Sequence, residues 1–475
     1  MQSQPDEKDS TVASLRAQME NYEGMIQEYD QQLVSLSDSL ADRDAKILEQ
    51  EGKIAALTQE IDGLKTSTSW KLTRPVRFLK DRISRPGEAP AITLPRRTIG
   101  LPGDLSWEQF EKDVLSKRDQ YKGVFVQEPN IDWQTPLYQR PQHLASALGR
   151  LGYLTIYRTN NLVVDNVSGF RQIAPNVWLT NSERTDEIEN SVHSIYSTSF
   201  SLDVSKLKNL GPTQRVVYEY VDQIDMKITG DEATVRQLLA GKEFAFGGGT
   251  DFIVATSRKL EEEAAGAVGR EKVLYVPNGG DVNHYRSNAH QTVTLPESLV
   301  SFRKRYANIV GYFGAIAPWL WYGAVNQLIR MHPDLGFVFI GPDYLHASNR
   351  LSRAGNVLYL GPVDYNILPA YARQFDVCFI PFEPGEIAHT TSPLKLFEYF
   401  ALEKPVVVTS FMDECVIFPE VFHGSTIFSL SEAIQKAIAV KGDPAFKSRL
   451  AQLADENSWD ERARRLEPIF IHDQH

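Results

Sequence analysis

A chain of 475 residues is too long for one hydrophobic core, so its length predicts two or three domains. Its composition, 42% hydrophobic and 23% charged, is that of a globular protein, and its net charge of −11 argues against a general nucleic-acid binder, since phosphate backbones require a basic surface. The cysteines Cys378 and Cys415 lie outside any Cys/His cluster, which argues against a disulfide scaffold and a structural zinc site.

The first ten residues are acidic and polar, unlike a signal peptide. No segment approaches the roughly 18 consecutive apolar residues that a membrane-spanning helix requires. We therefore expect a cytoplasmic protein whose contact with a membrane, where it has one, is peripheral and at the inner face of the plasma membrane.

Residues 1–66 are predicted to form a coiled-coil helix, because apolar residues recur at alternating steps of three and four between residues 12 and 64. At about 1.5 Å per residue this helix would be roughly 80 Å long, so we expect it to pair with another copy or with a partner. A single amphipathic helix is the alternative, and the number of strands stays open. The seam positions are Val12, Met19, Ile26, Leu33, Leu40, Ile47, Ile54 and Ile61, and Leu15, Tyr22, Tyr29, Leu36, Arg43, Gln50, Leu57 and Leu64.

Residues 67–98 form a basic linker in which aromatic and aliphatic residues alternate with lysines and arginines. A basic amphipathic segment of this kind, here residues 67–90, can lie in a membrane interface, where each basic residue near an anionic surface contributes about 1 kcal/mol. The alternative is a linker helix that packs on its own catalytic domain.

From about residue 99, predicted strands and helices alternate, which indicates doubly wound α/β architecture. We divide this part into a first domain at 99–290, a second at 291–455 and a closing segment at 456–475. Ligands collect at the carboxyl ends of parallel strands, so Tyr220 and Asp222 are predicted to face a cleft, although Asp222 could instead cap the following helix. The predicted strands lie within 123–127, 154–157, 177–179, 215–221, 252–257, 273–281, 309–316, 337–342, 357–363, 376–382 and 406–408.

Residues 391–408 carry the strongest functional signal. Ser392 is predicted as the N-cap of a helix and Pro393 as its first residue, so that free N–H groups and Lys395 would attract phosphate. Glu398 lies three residues further on, on the same face, and can accept hydrogen bonds from a ribose diol. The pattern indicates a nucleotide-sugar site, with a solvated i,i+3 ion pair as the structural alternative.

The phrase SPLKLFEYFALEKPVVV resembles the donor-binding segment of GT-B glycosyltransferases, in particular the family-4-like (group 1) retaining enzymes of bacterial surface polysaccharide synthesis, such as those of O-antigen. The resemblance implies two Rossmann-like domains, a Pro277-Asn278-Gly279 boundary between them, and a closing helix that packs back on the first domain. It implies Lys395 and Glu398 as catalytic residues. The implied donor-binding residues are Gly314, Ala315, Gly341, Pro342, Val363, Thr391, Ser392, Pro393, Lys395 and Glu398; the predicted acceptor-binding residues are Asp132, Trp133, Arg140, His143, Tyr220 and Asp222.

Two departures from the family pattern stand out. Thr390 occupies the position of an expected first glutamate, so the sugar-facing partner is missing or is supplied by Glu383, Glu386 or His389. The usual Arg and Lys pair after the glycine loop is also absent, and Trp319, Trp321 and Tyr322 stand in that region.

We therefore expect a retaining, metal-independent glycosyltransferase. It would transfer a sugar from a nucleotide-diphosphate donor, used as substrate without any cofactor, to a saccharide or a lipid-linked saccharide. The alternatives are a nucleotide-sugar epimerase of the same fold and a non-catalytic scaffold that recruits partners through its coiled coil.

Deletion of residues 67–90 tests the membrane hypothesis. If this segment docks on an anionic surface, the full chain will co-sediment with liposomes that contain phosphatidylserine, and the deletion will lower that fraction, because it removes the basic charges. Unchanged co-sedimentation after the deletion would leave the linker as a helix that packs on its own domain.

Overall fold

The computed structural model describes residues 104–135, 138–162, 164–199, 204–207, 210–225, 232–288 and 293–471. The predicted coiled coil (12–64) and basic segment (67–90) lie outside the described residues. Residues 98–475 form one compact unit, which contains two parallel sheets. Within the described residues, every helix is too short or too polar to cross a bilayer.

The first sheet has eight strands in the order β3-β4-β2-β1-β5-β6-β7-β8, and only the β3–β4 pair is antiparallel. Its central strands are buried along their whole length, because helices cover both faces of a parallel sheet. The sequence analysis had not predicted β3 and β5. The strands are β1 (Val124–Gln127), β2 (Leu154–Arg158), β3 (Phe170–Ala174), β4 (Val177–Thr180), β5 (Ser191–Tyr196), β6 (Arg215–Tyr220), β7 (Phe252–Ala255) and β8 (Val273–Tyr275).

The second sheet has six parallel strands in the order β11-β10-β9-β12-β13-β14. The order reverses beside β9, so a crevice opens between the carboxyl ends of β9 and β12, where ligands bind in sheets of this kind. The strands are β9 (Ile309–Phe313), β10 (Gly336–Ile340), β11 (Val357–Tyr359), β12 (Val377–Ile380), β13 (Val406–Thr409) and β14 (Phe422–Gly424).

Helices alternate with the strands in both sheets, as the doubly wound prediction requires. The helices are α1 (Trp107–Asp113), α2 (Arg140–Arg150), α3 (Val204–Leu207), α4 (Glu232–Phe244), α5 (Arg258–Val268), α6 (Val282–Asn288), α7 (Glu297–Arg305), α8 (Tyr322–Met331), α9 (Leu368–Ala372), α10 (Glu386–Thr390), α11 (Leu394–Ala401), α12 (Asp413–Val416), α13 (Ile427–Val440), α14 (Pro444–Glu456) and α15 (Trp459–Arg464). The predicted architecture of two Rossmann-like domains is confirmed.

The border between the domains differs from the predicted one at residue 290. Val282 and Tyr285, on α6, are buried in the core of the second sheet, and α6 packs against α9 and α11. At the other end, Trp459 of α15 belongs to the core of the first sheet, with α2 as its main neighbour. The chain thus crosses between the two cores near residue 280 and returns after α14.

Gly311, at the centre of β9, is predicted to tolerate no side chain. A Cβ atom there would lie 2.1 Å from a ring carbon of Phe375. We expect Gly311→Ala to destabilise the chain by about 1–3 kcal/mol through overpacking and to lower the thermal midpoint. Gly355→Ala is the matched control, because its Cβ would meet nothing within 4 Å. Equal midpoints for the two variants, measured by circular dichroism, would contradict this packing.

Candidate functional site

Two glycines bring the second sheet's carboxyl edge close to Lys395. Gly314 follows β9 with φ +132°, and a Cβ there would lie 2.8 Å from Lys395 Cε and 3.0 Å from its Nζ. Gly341 follows β10 with φ +143°, and a Cβ there would lie 1.9 Å from the Gly314 carbonyl oxygen. Only glycine fits both the space and the backbone conformation. The loops at Gly314 and Gly341 therefore pack directly against each other, and the Lys395 side chain lies against the Gly314 loop.

The Lys395 ammonium sits above two rings at the bottom of the crevice. Its Nζ lies 5.1 Å from the centroid of Tyr312 and 5.4 Å from that of Phe382. Burial lowers the pKa of Lys395 to about 8, against the opposing attraction of Glu398 and Asp222. No described residue forms a hydrogen bond or an ion pair with this ammonium. A half-buried cation without such a partner among the described residues is available to bind an anion.

Glu398 lies one turn along α11, on the face it shares with Lys395, as the spacing predicts. It is 5% exposed, and burial raises its pKa to about 8, while Lys395 lowers it. Asp281 and the ring of Tyr285 lie near its carboxyl group. At neutral pH this raised pKa favours a neutral carboxyl group, which can donate one hydrogen bond and accept others.

Ser392 does not cap the helix, which corrects the sequence prediction. Helix α11 begins at Leu394 with Pro393 in the cap position and no side-chain cap. The Ser392 hydroxyl instead accepts from the Asn278 backbone N–H at 3.1 Å, and its carbonyl accepts from the Asn278 side-chain amide at 2.6 Å. Asn278 lies at the crossing between the domains, so Ser392 fixes the start of α11 to that crossing.

The other predicted donor residues line the same edge. Pro342 accepts at its carbonyl from the Ile316 N–H, and the Ala315 carbonyl accepts from the Tyr312 hydroxyl at 3.0 Å. Val363 is half-buried against the core of the second sheet. The Thr391 hydroxyl donates to the Ile387 carbonyl at 2.6 Å. Their side chains thus shape the loops, and the backbone is what they present to the crevice.

Arg140 and His143, on α2, are buried where the first domain meets the crossing segment. Arg140 pairs with Glu219 and donates to the Asn278 side-chain oxygen at 3.2 Å. The ring of His143 stacks on Trp459 at 5.2 Å, and burial lowers its pKa to about 4, so it is neutral. Arg140 therefore holds the crossing segment, which the acceptor prediction did not foresee.

Three further predicted acceptor residues are engaged within the first domain. The Asp132 carboxylate accepts from the backbone N–H groups of Leu162 and Val164, so it closes a loop. Trp133 is 7% exposed and packs edge-on against another ring. The Tyr220 hydroxyl donates to Glu263 at 2.7 Å within the first core. The structure thus places these three side chains in packing and not in the crevice.

Asp222, after the end of β6, is the predicted acceptor residue that the structure brings to Lys395. Burial raises its pKa to about 7, and the charges of Arg140 and Lys395 lower it. Its carboxylate therefore belongs to the same electrostatic cluster as Lys395 and Glu398, although it comes from the other sheet.

The structure adds Asn278 and Tyr285 to the residues around the site. Sequence reasoning assigned no side-chain role to either, because their partners Ser392 and Glu398 lie more than a hundred residues away along the chain. The predicted Pro277-Asn278-Gly279 boundary was the one sequence feature that pointed to this region.

One cluster in the described residues has metal-binding residue types. Glu128, Asp186 and His193 bring their ligand atoms within 4.8 Å of one another. The Arg158 guanidinium, however, donates to Glu128 at 2.7 Å and to Asp186 at 2.9 Å. The acidic oxygens thus already bind a cation of the chain itself.

Residues 307–440, which carry the glycine loops and α11, match the family model for glycosyl transferases group 1. A longer stretch is similar to TuaH of Bacillus subtilis (strain 168), which is named as a teichuronic acid biosynthesis glycosyltransferase. The two are 26% identical over 268 residues, which cover 54% of this chain and 66% of the relative. The chain thus spans about two thirds of that relative's length.

Solved glycosyltransferase structures share the fold of the whole described unit. An α,α-trehalose-phosphate synthase (UDP-forming) from Burkholderia vietnamiensis is 11% identical, with a TM-score of 0.55 over 73% of this chain and 96% of its own. HepE from Anabaena, solved in complex with UDP-glucose, is 13% identical, with a TM-score of 0.50 over 73% of this chain and 98% of its own. The chain therefore has the GT-B fold, and residues 307–440 of its second half match the group 1 glycosyl transferase model.

The charges around Lys395 predict a pH dependence for anion binding by this domain. As the pH rises from 7 to 9, Lys395 loses its proton while Asp222 and Glu398 gain negative charge, and all three changes weaken the binding of an anion. We expect the Kd for UDP, measured by calorimetry, to rise over this range. In Lys395→Arg the cation persists, so the rise should be smaller. Identical pH profiles would show that Lys395 does not contact the anion.

Proposed function

We propose that the protein is a glycosyltransferase that moves a sugar from a nucleotide-diphosphate donor to a saccharide or lipid-linked saccharide in bacterial surface polysaccharide synthesis. The observation that carries the proposal is the half-buried Lys395 ammonium, which has no hydrogen-bond or ion-pair partner among the described residues and lies beside Gly314. The likeness to a relative named for teichuronic acid biosynthesis supports the polysaccharide context.

In this proposal the donor diphosphate lies between the glycine loops and Lys395. Transfer breaks the bond between the anomeric carbon and the diphosphate oxygen, whose electron pair leaves with the nucleoside diphosphate. A new bond forms from the anomeric carbon to an acceptor hydroxyl oxygen, which loses its proton. Lys395 stabilises the charge that develops on the leaving oxygen, and a dry crevice strengthens this effect.

Glu398 and Asp222 take different parts in this proposal. Glu398, three residues after Lys395 and buried on the same face, would bind the ribose hydroxyls. Asp222 comes from the first domain, where a general base with a pKa of about 7 is well matched to a proton from the acceptor hydroxyl. Metal independence follows from the lysine's role as the cation at the diphosphate, and retention of configuration follows from the family resemblance.

The N-terminal segments have proposed roles in placing the enzyme. Residues 12–64 would join copies or partners through a coiled coil, and residues 67–90 would hold the catalytic unit against an anionic membrane. A lipid-linked acceptor would then meet the crevice at the membrane surface.

Lys395→Met tests the site directly. Hydrogen bonds to charged groups contribute about 1.5–3 kcal/mol, so we expect nucleoside diphosphate affinity to fall about 10- to 100-fold and transfer to be lost. The control is Lys436→Met, which removes a lysine that is 68% exposed on α13.

A thermal-shift screen of UDP, dTDP and GDP sugars identifies the donor that the wild-type chain binds.

Product analysis decides between the alternatives. Transfer requires both donor and acceptor, whereas an epimerase converts the donor without an acceptor. Binding without any turnover would favour the scaffold. Wild-type affinity in Lys395→Met, with the fold intact by circular dichroism, would remove the site assignment.

A further inference from the structure

Two of the six tryptophans among the described residues are only half-buried. Trp107, Trp133, Trp178 and Trp459 are at most 9% exposed, whereas Trp319 and Trp321 pack against the core of the second sheet and keep part of their surface in solvent. Both belong to the short segment between Gly314 and α8. A folded chain gains by burying indole rings, so the exposed parts of two such rings in one segment near Lys395 are apolar surface that a ligand can cover.

The segment is fixed beside the donor side of the crevice. The Trp321 N–H donates to the Pro381 carbonyl at 2.7 Å, and the Trp319 carbonyl accepts from the Glu383 N–H at 2.9 Å. The Trp319 ring lies 6.5 Å from the ring of Phe382, which itself lies 5.4 Å from Lys395 Nζ. One ring thus separates Trp319 from the ammonium that would hold the diphosphate.

A second set of rings surrounds Trp321. Its ring lies 6.3 Å from that of Phe411, which lies 6.3 Å from the imidazole of His389. His389 is on α10, just before Lys395 along the chain. Trp319 thus packs on the segment between β12 and α11 at Phe382, and Trp321 approaches the same segment through Phe411.

The polar groups of that path already have partners. The Thr390 hydroxyl donates to the Glu386 carbonyl at 2.7 Å, so it is not available to a sugar. The Glu386 carboxylate pairs with Lys259, from the first domain. His389 Nδ1 lies 3.0 Å from a carboxylate oxygen of Asp413. Beside these paired groups, Trp319 and Trp321 add apolar ring surface to this side of the crevice.

We infer that Trp319 and Trp321 bind the pyranosyl ring of the donor through its C–H face, in place of a carboxylate that binds its hydroxyls. This inference rests on the proposed function and names the part of the substrate that these residues contact. Aromatic rings at sugar sites supply large, rigid contact area with little loss of conformational entropy. The two tryptophans are positioning residues, because they orient the anomeric carbon and do not take part in bond exchange.

The test compares a nucleoside diphosphate with its sugar-bearing form. The probes are UDP with UDP-glucose and dTDP with dTDP-rhamnose, and calorimetry gives both affinities for the pair that the wild-type chain binds. Trp319→Ala and Trp321→Ala should each weaken binding of the nucleotide sugar by about 3- to 10-fold and leave that of the bare diphosphate unchanged. Trp319→Tyr and Trp321→Tyr should retain most of the affinity, since a ring remains.

Phe428→Ala is the control, because Phe428 is 72% exposed on α13 and lies in another part of the domain. An unchanged ratio of the two affinities in both alanine variants would overturn the inference. So would an equal loss for diphosphate and sugar. If Lys395→Met abolishes binding of both probes while the tryptophan variants change nothing, the proposed function stands and this inference alone falls. If the wild-type chain binds none of the UDP, dTDP and GDP sugars of the thermal-shift screen, both fall.

Discussion

A half-buried cation beside the Gly314 loop is the constraint on which the rest of the candidate site depends. Removing the Lys395 ammonium from water is costly, and the described residues offer it two rings but no hydrogen-bond partner. The lowered pKa expresses this cost. An anionic ligand, such as the proposed donor diphosphate, would offset it. Gly314 is required because a Cβ there would meet the lysine side chain, and Gly341 is required because a Cβ there would meet the Gly314 carbonyl oxygen.

Asn278 is the centre of a polar junction between the two domains. Its amide groups bind Ser392, Arg140 binds its side-chain oxygen, and Arg462 of α15 donates to its carbonyl at 3.0 Å. Residues from the start of α11, from α2 and from the closing helix α15 thus all bind Asn278. A buried arginine destabilises such a junction unless its charge is paired. Arg140 meets this condition through its ion pair with Glu219.

In the proposed donor complex, the sugar and the diphosphate would meet different chemistry. The diphosphate would meet a full charge and closely approaching backbone, whereas the segment proposed for the sugar has polar groups bound to one another and half-buried rings. A carboxylate at position 390 would have had to stay hydrated or paired within α10. The threonine found there is 1% exposed, and its hydroxyl donates to a carbonyl of its own helix. Discrimination between sugars would then depend on shape and apolar contact.

The sequence by itself determined the architecture and the centre of the site. Alternating strands and helices, and the i,i+3 spacing of Lys395 and Glu398, are local patterns whose consequences do not depend on distant residues, so they could be read directly. Val124–Gln127 and Leu394–Ala401 lie where these patterns put them. The strands Phe170–Ala174 and Ser191–Tyr196 were not predicted, because polar residues interrupt their apolar runs.

Only the tertiary structure decided which polar groups are free to bind a substrate. The local sequence predicts Ser392 as a helix cap, but its hydroxyl oxygen accepts from Asn278, which is distant in the chain. The sequence likewise predicts Arg140 and Tyr220 as cleft residues, but Glu219 and Glu263 bind them. Conversely, Asp222 lies near enough to Lys395 for the lysine charge to lower its pKa, although the two residues come from different sheets. A polar group that is hydrogen-bonded within the protein is not available to a substrate. When its partner is distant in the sequence, no local pattern predicts that hydrogen bond.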